Sequence, residues 1–455
     1  MDFFVPNENS GQGKKGGAGT LKWWQLSLIG VGCTIGTGFF LGSAIGIKVT
    51  GPSIVFSFIL AAIGTYIVYN LLAKMTAQDP QEGSFCYYAN KAYGRWAGFS
   101  CGWNYWGSNI LIMGSQLTAL SILSRFWFPN VPLWIFASGY AILSIIVVLT
   151  GANGFNKAEN LFAIIKTAAI IMFIILAVAA LFGWIGGDPK TPSFPNTTKE
   201  LFPEGFKGFW ASLIYAFYAY GGIEVIGLLA TKLKNKEDSP KAGIIMLILL
   251  VTIYVASLGL AVILAKHGAF THKESPFVTA LSQYNLDFFP HVFNGAIIIA
   301  GFSTMTAALF GVTTLLVTLA DSGDAPKLFS KKLKKWKDLP LPSLALATAG
   351  LIASIITAFL LPGKIYEYIT TAAGILILLN WSFIIISGLK ILKVKAWGKI
   401  LAFTGILLIL AAISGTLMEE TIRLGLVFSA VFVLIIGIVT IIMQKKVWNK
   451  QAKSH

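Results

Sequence analysis

The sequence predicts an all-α polytopic membrane protein of twelve transmembrane helices, and three observations support this fold class. Hydrophobic residues make up 56% of the 455 residues and charged residues only 12%, with a mean hydropathy of +0.74. Soluble domains carry about 25% charged residues because their surfaces face water. Long apolar segments recur along the chain, and basic residues cluster between them. This composition excludes an ordinary soluble enzyme and a disordered chain.

The apolar segments are close to the roughly 20 residues that a helix needs to cross a bilayer. Charged residues, prolines and glycines separate them. The predicted spans are 23–48, 52–74, 96–124, 132–150, 158–185, 208–231, 242–266, 290–320, 342–361, 365–390, 397–416 and 424–444. An even number of crossings places both chain ends on one side of the membrane. No hydrophilic segment is long enough for a soluble domain, so the function is expected to reside within the membrane.

The distribution of Lys and Arg predicts the orientation. Of the 35 basic residues, 25 fall in the chain ends and in alternate loops, nine fall in the other loops, and Lys166 lies inside a span. Because cytoplasmic loops are enriched in Lys and Arg, both termini are predicted to be cytoplasmic, with the chain in the cell membrane. The net charge of +16 then reflects topology and contact with anionic lipid headgroups, and nucleic-acid binding is not expected.

The side chains typical of cofactor and metal sites are sparse. The three cysteines, Cys33, Cys86 and Cys101, have no metal-type spacing, and the four histidines are scattered. An odd number of cysteines implies no disulfide framework. The sequence therefore predicts no cofactor and no metal site. An intramembrane enzyme would need a nucleophile–base pair or metal ligands at membrane depth, and the sequence indicates neither.

Two spans contain glycines where a helix is expected to break. The first has four glycines within nine residues, ending at Gly36 and Gly38, and the sixth has Gly221-Gly222. Close helix packing is one interpretation of such glycines. Unwound backbone near the bilayer midplane is the other, and it presents amides to an anion and carbonyls to a cation. Gly-interrupted spans at positions one and six indicate two five-helix repeats of opposite orientation.

Two ionisable residues lie inside the spans. Lys166 is about 14 Å and Glu224 about 10 Å from the respective span ends. A charge at such depth is costly and indicates a function by default, although a static tie to backbone carbonyls is the alternative. A desolvated lysine releases its proton readily, so Lys166 is predicted to couple transport to protons without a metal ion.

Several short motifs occur in order along the chain. They are Thr34–Ser43, Gly83–Phe85, Tyr88-Ala89, Gly98–Trp106, Ile164–Lys166, Gly222–Glu224, Ser275–Phe277, Leu319-Ala320, Gly323 and Ala325–Lys327. With this order and spacing, residues 21 to 390 resemble the amino acid–polyamine–organocation superfamily, and within it the bacterial amino acid transporter branch. The resemblance implies two inverted five-helix repeats, two further helices and alternating access.

The resemblance also implies a division of the chain. Its parts are a cytoplasmic tail at 1–22, the first repeat at 23–185, an extracellular loop at 186–207, the second repeat at 208–390, two helices within 391–444, and a cytoplasmic tail at 445–455.

The substrate site implied by the resemblance is built largely from backbone. Carbonyls of Ile35 and around Tyr218, Ala219 and Gly221 would hold the ammonium group, and amides near Thr37 and Gly38 the carboxylate. The full substrate-binding set is Thr34, Ile35, Gly36, Thr37, Gly38, Tyr218, Ala219, Tyr220, Gly221 and Gly222. Lys166 and Glu224 would couple protons. Tyr218 falls at a gating position, with packing as the alternative for it and for Tyr220. Possible lining residues are Asn109, Met113, Ser303, Thr304 and Trp381.

The chain departs from the family pattern at two places. It reads Leu229-Ala-Thr-Lys232 where the branch usually has an acid, and Thr313-Thr314 where the branch usually has Ser-Arg. We hypothesise that relatives form a cytoplasmic ion pair here that this chain lacks on both sides.

The predicted function is amino acid import by proton symport, with a neutral amino acid slightly favoured. An exchanger of the same fold without ion coupling is the alternative, and Lys166 argues against it. A channel is not favoured, because the sequence has no repeated pore loop or acidic ring motif. The expected partners are the amino acid, the proton and membrane lipids, with no obligatory protein partner.

Overall fold

The computed structural model describes residues 21–81, 83–150, 152–187, 194–224, 227, 230, 233–271, 274–331, 339–360 and 365–449. Their regular secondary structure is helical, and the pairing of extended backbone is limited to two isolated bridges, Leu21 with Leu233 and Gly187 with Tyr284. The predicted all-α class is therefore confirmed. The predicted tails lie mostly outside the described residues.

In the first half of the chain the described residues form eight α-helices. They are α1 (Trp23–Thr34), α2 (Thr37–Phe40), α3 (Gly42–Thr50), α4 (Ile54–Gln78), α5 (Ser84–Tyr93), α6 (Arg95–Ser124), α7 (Leu133–Leu149) and α8 (Ala152–Leu181). In the second half the described residues form α9 (Thr198–Leu201), α10 (Gly205–Ala219), α11 (Ser239–Leu264), α12 (Pro276–Leu281), α13 (Phe288–Asp321), α14 (Leu341–Leu360), α15 (Ile365–Ile391), α16 (Ala396–Gly415) and α17 (Glu420–Met443). Each predicted span contains at least one helix.

Local sequence explains several helix ends. Proline occupies the first turn of α11 and of α12, where its missing amide hydrogen removes no helical bond. Gly94 separates α5 from α6 with φ of +91°, a backbone region that favours glycine. These residues turn the chain between helices at points where the apolar pattern also stops.

Seven helical stretches among the described residues are long and apolar enough to cross a membrane. They are Thr37–Gln78, Ile164–Leu181, Lys236–Leu264, Phe288–Asp321, Tyr366–Ile391, Ala396–Gly415 and Glu420–Trp448. The apolar helices Leu133–Leu149 and Leu341–Ile356 are shorter. A polytopic membrane protein is thus supported, and the number of twelve crossings stays a prediction.

Burial separates central from peripheral helices. In α15, 78% of the most apolar segment is buried inside the protein, against 22% in α16 and 11% in α17. The last two helices expose large apolar side chains such as Phe403 and Leu434, as a lipid-facing surface requires. The central group is α6 packed along α13 and α15, with α1 on α11 and α3 on α10. This group surrounds the predicted site.

An aromatic cluster holds α2 in place. Phe39 stacks on Tyr254 of α11 with ring centroids 4.0 Å apart, and it also contacts Phe58 and Phe277. Aromatic pairs of this kind stabilise by about 0.5–1.5 kcal/mol beyond the burial of their surface. The cluster therefore anchors the short helix that follows the predicted interruption of the first span.

Two ion pairs lie on the side predicted to be cytoplasmic. Arg95, at the start of α6, bonds to Asp324 after α13 with an N–O distance of 2.8 Å. Burial raises the pKa of Asp324, and the Arg95 guanidinium only partly opposes this. Asp79 after α4 pairs with Lys91 at 2.5 Å. Hydrogen bonds from Gln81 and then Lys91 lower the pKa of Asp79. The three cysteines form no disulfide bond with one another.

Candidate binding and proton-coupling site

The first span is interrupted at the predicted glycine. Helix α1 ends at Thr34, and the backbone is extended at Ile35 (ψ 107°) and Gly36 (φ −143°, ψ −166°) before α2 begins at Thr37. Within the described part of the chain, the carbonyl of Ile35 and the amides of Gly36 and Thr37 have no hydrogen-bond partner. Such groups are costly in a membrane interior unless a ligand or water satisfies them.

The sixth span is interrupted next to the first. Helix α10 ends at Ala219, and Gly222 has φ of +106°, which a residue with a side chain adopts only under strain. A β-carbon on Gly222 would lie 3.2 Å from the Cys33 carbonyl oxygen and 3.5 Å from the Thr34 α-carbon. The structure thus brings the two predicted interruptions into direct contact.

Lys166 is buried against the end of α1. Its side chain is 1% exposed, and its ammonium nitrogen donates to the Gly32 carbonyl at 2.6 Å and to the Ser303 hydroxyl at 3.2 Å. Lysine has three donors and no acceptor, so a carbonyl and a hydroxyl suit it. The side chain therefore joins α8 to α1 and α13 beside the interruption.

Glu224 lies two residues after Gly222, at the second interruption. It is 2% exposed, and its Oε2 atom accepts hydrogen bonds from the Gly222 amide at 3.1 Å and from the Trp381 indole nitrogen at 3.3 Å. Trp381 is fully buried. Its indole nitrogen thus contacts the acid, and its place in the lining of the substrate pocket stays a prediction.

Tyr218 covers the first interruption. A β-carbon on Gly38 would lie only 2.8 Å from its ring, so glycine is required for this approach. The Tyr218 and Ser115 hydroxyls are 2.7 Å apart, and the Tyr366 hydroxyl donates to the Thr37 carbonyl at 3.1 Å. The tyrosine is thus fixed across the backbone predicted to hold the substrate, a place that suits both a gate and a packing residue.

The remaining predicted ammonium ligands are partly engaged. The Tyr218 carbonyl accepts from the Gly221 amide at 2.9 Å, and the Ala219 carbonyl accepts from the Tyr254 hydroxyl at 3.0 Å. Each carbonyl has a second lone pair. The hydroxyl of fully buried Tyr220 has no partner among the described residues, and its ring is 5.1 Å from that of Tyr254. Thr34 donates to the Gly30 carbonyl within α1 at 2.8 Å.

The predicted lining residues divide into two groups. Ser303 contacts Lys166, and Thr304 lies against Gly36, where a β-carbon would be 3.3 Å from its hydroxyl. Asn109 instead donates to the Tyr105 carbonyl of its own helix at 2.9 Å, and Met113 packs in a separate apolar cluster. The described contacts therefore bring only the α13 pair to the interruption.

Two buried polar residues were missed from the sequence, and one of them lies at the site. Gln116 of α6 is 4% exposed, and its Oε1 atom accepts a 2.5 Å hydrogen bond from the Thr37 hydroxyl. The presence of the Gln116 side-chain amide within an apolar span could have indicated it as a candidate site residue. Glu367, in the first turn of α15, is 5% exposed and is thus a third buried ionisable group in the spans. Its position two residues from a predicted span end made it look like a surface residue.

The departures from the family pattern are only partly described. Leu229, Thr231 and Lys232 lie outside the described residues, and the Thr314 hydroxyl donates to the Phe310 carbonyl at 3.0 Å. The missing ion pair stays a hypothesis.

Sequence comparison decides the family. The family model described as amino acid permease matches residues 25–455, nearly the whole chain. The chain belongs to the amino acid permease family. The resemblance deduced from the motifs is thereby confirmed, and membership in this family together with the apolar helices indicates an integral membrane transport protein.

Several relatives align with the permease over most of their length. It is 54% identical over 432 residues to the uncharacterized transporter YcgH of Bacillus subtilis, covering 95% of this chain and 96% of the relative. It is 31% identical to the aromatic amino acid transport protein AroP of Corynebacterium glutamicum, covering 83% and 82% of the two chains. It is 28% identical to the gamma-aminobutyric acid permease of Bacillus subtilis, covering 91% and 92%. These names support amino acid transport.

Proposed function

We propose that the permease imports an amino acid across the cytoplasmic membrane by proton symport with alternating access. The observation that carries this proposal is the hydrogen bond from Lys166 to the Gly32 carbonyl at the end of α1. Through this bond a buried, protonatable side chain of α8 contacts α1, the helix whose interruption binds the substrate in the proposed mechanism.

The amino acid lies at the two interruptions. Its ammonium group binds the Ile35 carbonyl and the carbonyls that end α10, and its carboxylate binds the amides around Thr37 and Gly38. Backbone groups recognise the part that all amino acids share, and half-helix ends at mid-depth favour such charged groups. The contact between Gly222 and Cys33 supports this arrangement, because one small ligand can then touch both interruptions.

The proton acts through Lys166. When the amine is charged, its bond to the Gly32 carbonyl is charge-assisted and roughly twice as strong as a neutral one. Loss of the proton weakens this bond, which frees the end of α1 to move relative to α8 and α13. Glu224 acts in the same way at the other interruption, since its carboxylate accepts a hydrogen bond from the Gly222 amide and a change in its protonation alters that bond. Transport is therefore linked to the protonation of groups that touch both breaks.

A neutral amino acid is the favoured substrate. At the interruptions the buried acidic and basic side chains among the described residues are Lys166 and Glu224, one of each charge, so an additional charge on the substrate has no counter-ion. The third, Glu367, lies in the first turn of α15. Aromatic amino acids and gamma-aminobutyric acid, for which two relatives are named, carry no net charge, which agrees with this preference.

The proposal includes the domain division and orientation expected from the sequence. Two inverted five-helix repeats, at 23–185 and 208–390, place α1 to α3 and α10 at corresponding positions, and both termini are cytoplasmic. The adjacent interruptions support such a pairing.

Uptake into proteoliposomes tests the proposal. We expect one or more neutral members of a panel of radiolabelled amino acids to accumulate when the outside is acidic, and a protonophore to abolish the accumulation. Exchange of internal for external amino acid that is insensitive to the proton gradient would instead establish the exchanger. The absence of uptake for every member of the panel would contradict the proposal.

A further inference from the structure

We propose that Gln116 is a substrate-binding residue whose side-chain nitrogen donates a hydrogen bond to the carboxylate of the amino acid. This inference rests on the proposed function and deepens it, because it adds a side chain to a site otherwise built from backbone.

The orientation of the Gln116 amide is set by Thr37. The Thr37 hydroxyl donates to Oε1 at 2.5 Å, which makes Oε1 an acceptor and turns Nε2 to the other side. There Nε2 faces the first interruption, since a β-carbon on Gly36 would lie 3.3 Å from it. One hydroxyl thus aims the amide nitrogen at the backbone predicted to hold the substrate.

This nitrogen has no acceptor among the described residues, although the side chain is 96% buried, being 4% exposed. The nitrogen atom itself is not among the fully buried polar atoms without a partner, so it borders space that a small polar group can reach, and amide hydrogens in such a place are almost always satisfied. The acceptor that completes this site is therefore expected to come from a ligand.

The groups around Gly36 select the chemistry of that ligand. The amides of Gly36 and Thr37 also have no partner within the described part of the chain. The Thr304 hydroxyl donates to the carbonyls of Ala300 and Gly301 at 3.2 and 3.0 Å. The Thr304 proton is thus already engaged, whereas the Gln116 side-chain nitrogen and the two backbone amides are donors without acceptors at this place, and a carboxylate accepts several strong hydrogen bonds at once. Because every amino acid has this group, Gln116 recognises the common part of the substrate.

The experiment measures binding to the full-length permease in lipid nanodiscs. The probes are the amino acid with the highest uptake in the panel, its carboxamide, and its decarboxylated amine. Gln116→Met keeps the length of the side chain and removes the amide. We expect it to weaken binding of the amino acid by about 10- to 100-fold, the effect of losing a hydrogen bond to a charged group. Binding of the amine should change less than about twofold, because it has no carboxylate.

Variants of Thr37 separate orientation from packing. Thr37→Val removes the hydroxyl that aims the amide, and we expect it to weaken binding of the amino acid selectively, while Thr37→Ser keeps binding near wild type. Gln444→Met, on the exposed surface beyond α17, serves as the matched control. Size-exclusion profiles identify any variant that fails to fold, and Gln116→Asn, with a shorter reach, then provides a second test with an expected intermediate loss.

Two outcomes would overturn the inference. They are unchanged binding of the amino acid by Gln116→Met, and an equal loss of binding for the amino acid and its amine. If wild type transports an amino acid and Gln116→Met binds it equally well, only this inference fails. If wild type binds and transports none of the panel, the proposed function fails first.

Discussion

The ammonium nitrogen of Lys166 donates a 2.6 Å hydrogen bond to the carbonyl oxygen of Gly32. Gly32 lies in the last turn of α1, directly before the backbone that turns away from helical geometry at Ile35. The carbonyls of a last turn have no partner within their own helix. Lys166 therefore takes the place of the missing helical donor, and its protonation state bears directly on the interruption.

Replacing Lys166 by Gln should abolish accumulation of the amino acid against its gradient. A Gln side chain cannot take up or release a proton in this pH range, whereas it can still donate to a carbonyl. We expect uptake driven by a proton gradient to fall at least about tenfold, because the charge-assisted hydrogen bond to the Gly32 carbonyl is lost. Exchange should be partly retained. Uptake and counterflow in proteoliposomes measure the two activities.

The matched control for this substitution is Lys199→Gln, because Lys199 is exposed in the short helix α9. It should behave as wild type. If pH-dependent accumulation survived in Lys166→Gln, the proton role of this residue would be wrong.

Replacing Gly222 by Ala should impair transport. The added β-carbon would approach the Cys33 carbonyl to 3.2 Å in a backbone region with φ of +106°, which costs about 1 kcal/mol or more for any L-residue. The two interruptions would then separate. We expect reduced uptake, by about tenfold, and a lower melting temperature in detergent.

Gly183→Ala controls for backbone strain alone. Gly183 also has a positive φ, of +75°, but a β-carbon there meets no atom within 4 Å. This variant should lose some stability and keep its uptake. Equal uptake by both variants would show that the contact of Gly222 with α1 has no role in transport.

Trp381→Phe distinguishes a residue beside Glu224 from one that lines the substrate pocket. The substitution keeps an aromatic ring and removes the donor to the Glu224 carboxylate. We expect the maximal rate of proton-driven uptake to fall by about tenfold, since one hydrogen bond to a charged group is lost. The KM for the amino acid should stay within about twofold. A raised KM with an unchanged maximal rate would instead place Trp381 against the substrate.

The Asp324 carboxyl should make stability depend on pH in a defined direction. Burial raises its pKa, so the folded protein holds this proton more tightly than the unfolded chain. The contribution of Asp324 to the free energy of unfolding therefore rises as the pH falls through the raised pKa. The melting temperature of Asp324→Asn relative to wild type should increase between about pH 4 and pH 7, by an amount on the order of 1–3 °C.

Asp79 provides a comparison of opposite sign. Hydrogen bonds from Gln81 and Lys91 lower its pKa, so its stabilising contribution is present above the unfolded value and is lost as the pH falls through the folded one. Asp79→Asn should therefore lose stability relative to wild type as the pH rises. If the difference in melting temperature from wild type changed with pH in the same direction for both variants, the opposite pKa shifts of Asp324 and Asp79 would be contradicted.

Parts of the candidate site could be predicted from the sequence where one local property was decisive. Gly36 and Gly222 were identified because a membrane helix that carries glycines at mid-depth is expected to break there. Lys166 and Glu224 were identified because a charge at such depth is costly and rare. Each of these inferences needs only the position of a residue within its own apolar segment.

Partnerships between distant segments required the three-dimensional structure. Nothing in the sequence near Gln116 indicates that it meets Thr37, 79 positions earlier, and nothing near Trp381 indicates that it meets Glu224, 157 positions earlier. Glu367 was expected to be exposed because it lies near the end of a predicted span, where side chains usually contact water.

The sequence by itself determined that this is an all-helical membrane protein, where its helices break and which residues carry buried charge. Apolar length, glycine and charge are properties of single segments in a bilayer. Only the tertiary structure decided that the two breaks touch and which side chains meet Lys166, Glu224 and Thr37. These contacts depend on the rotation and depth of each helix, which many weak packing interactions set together.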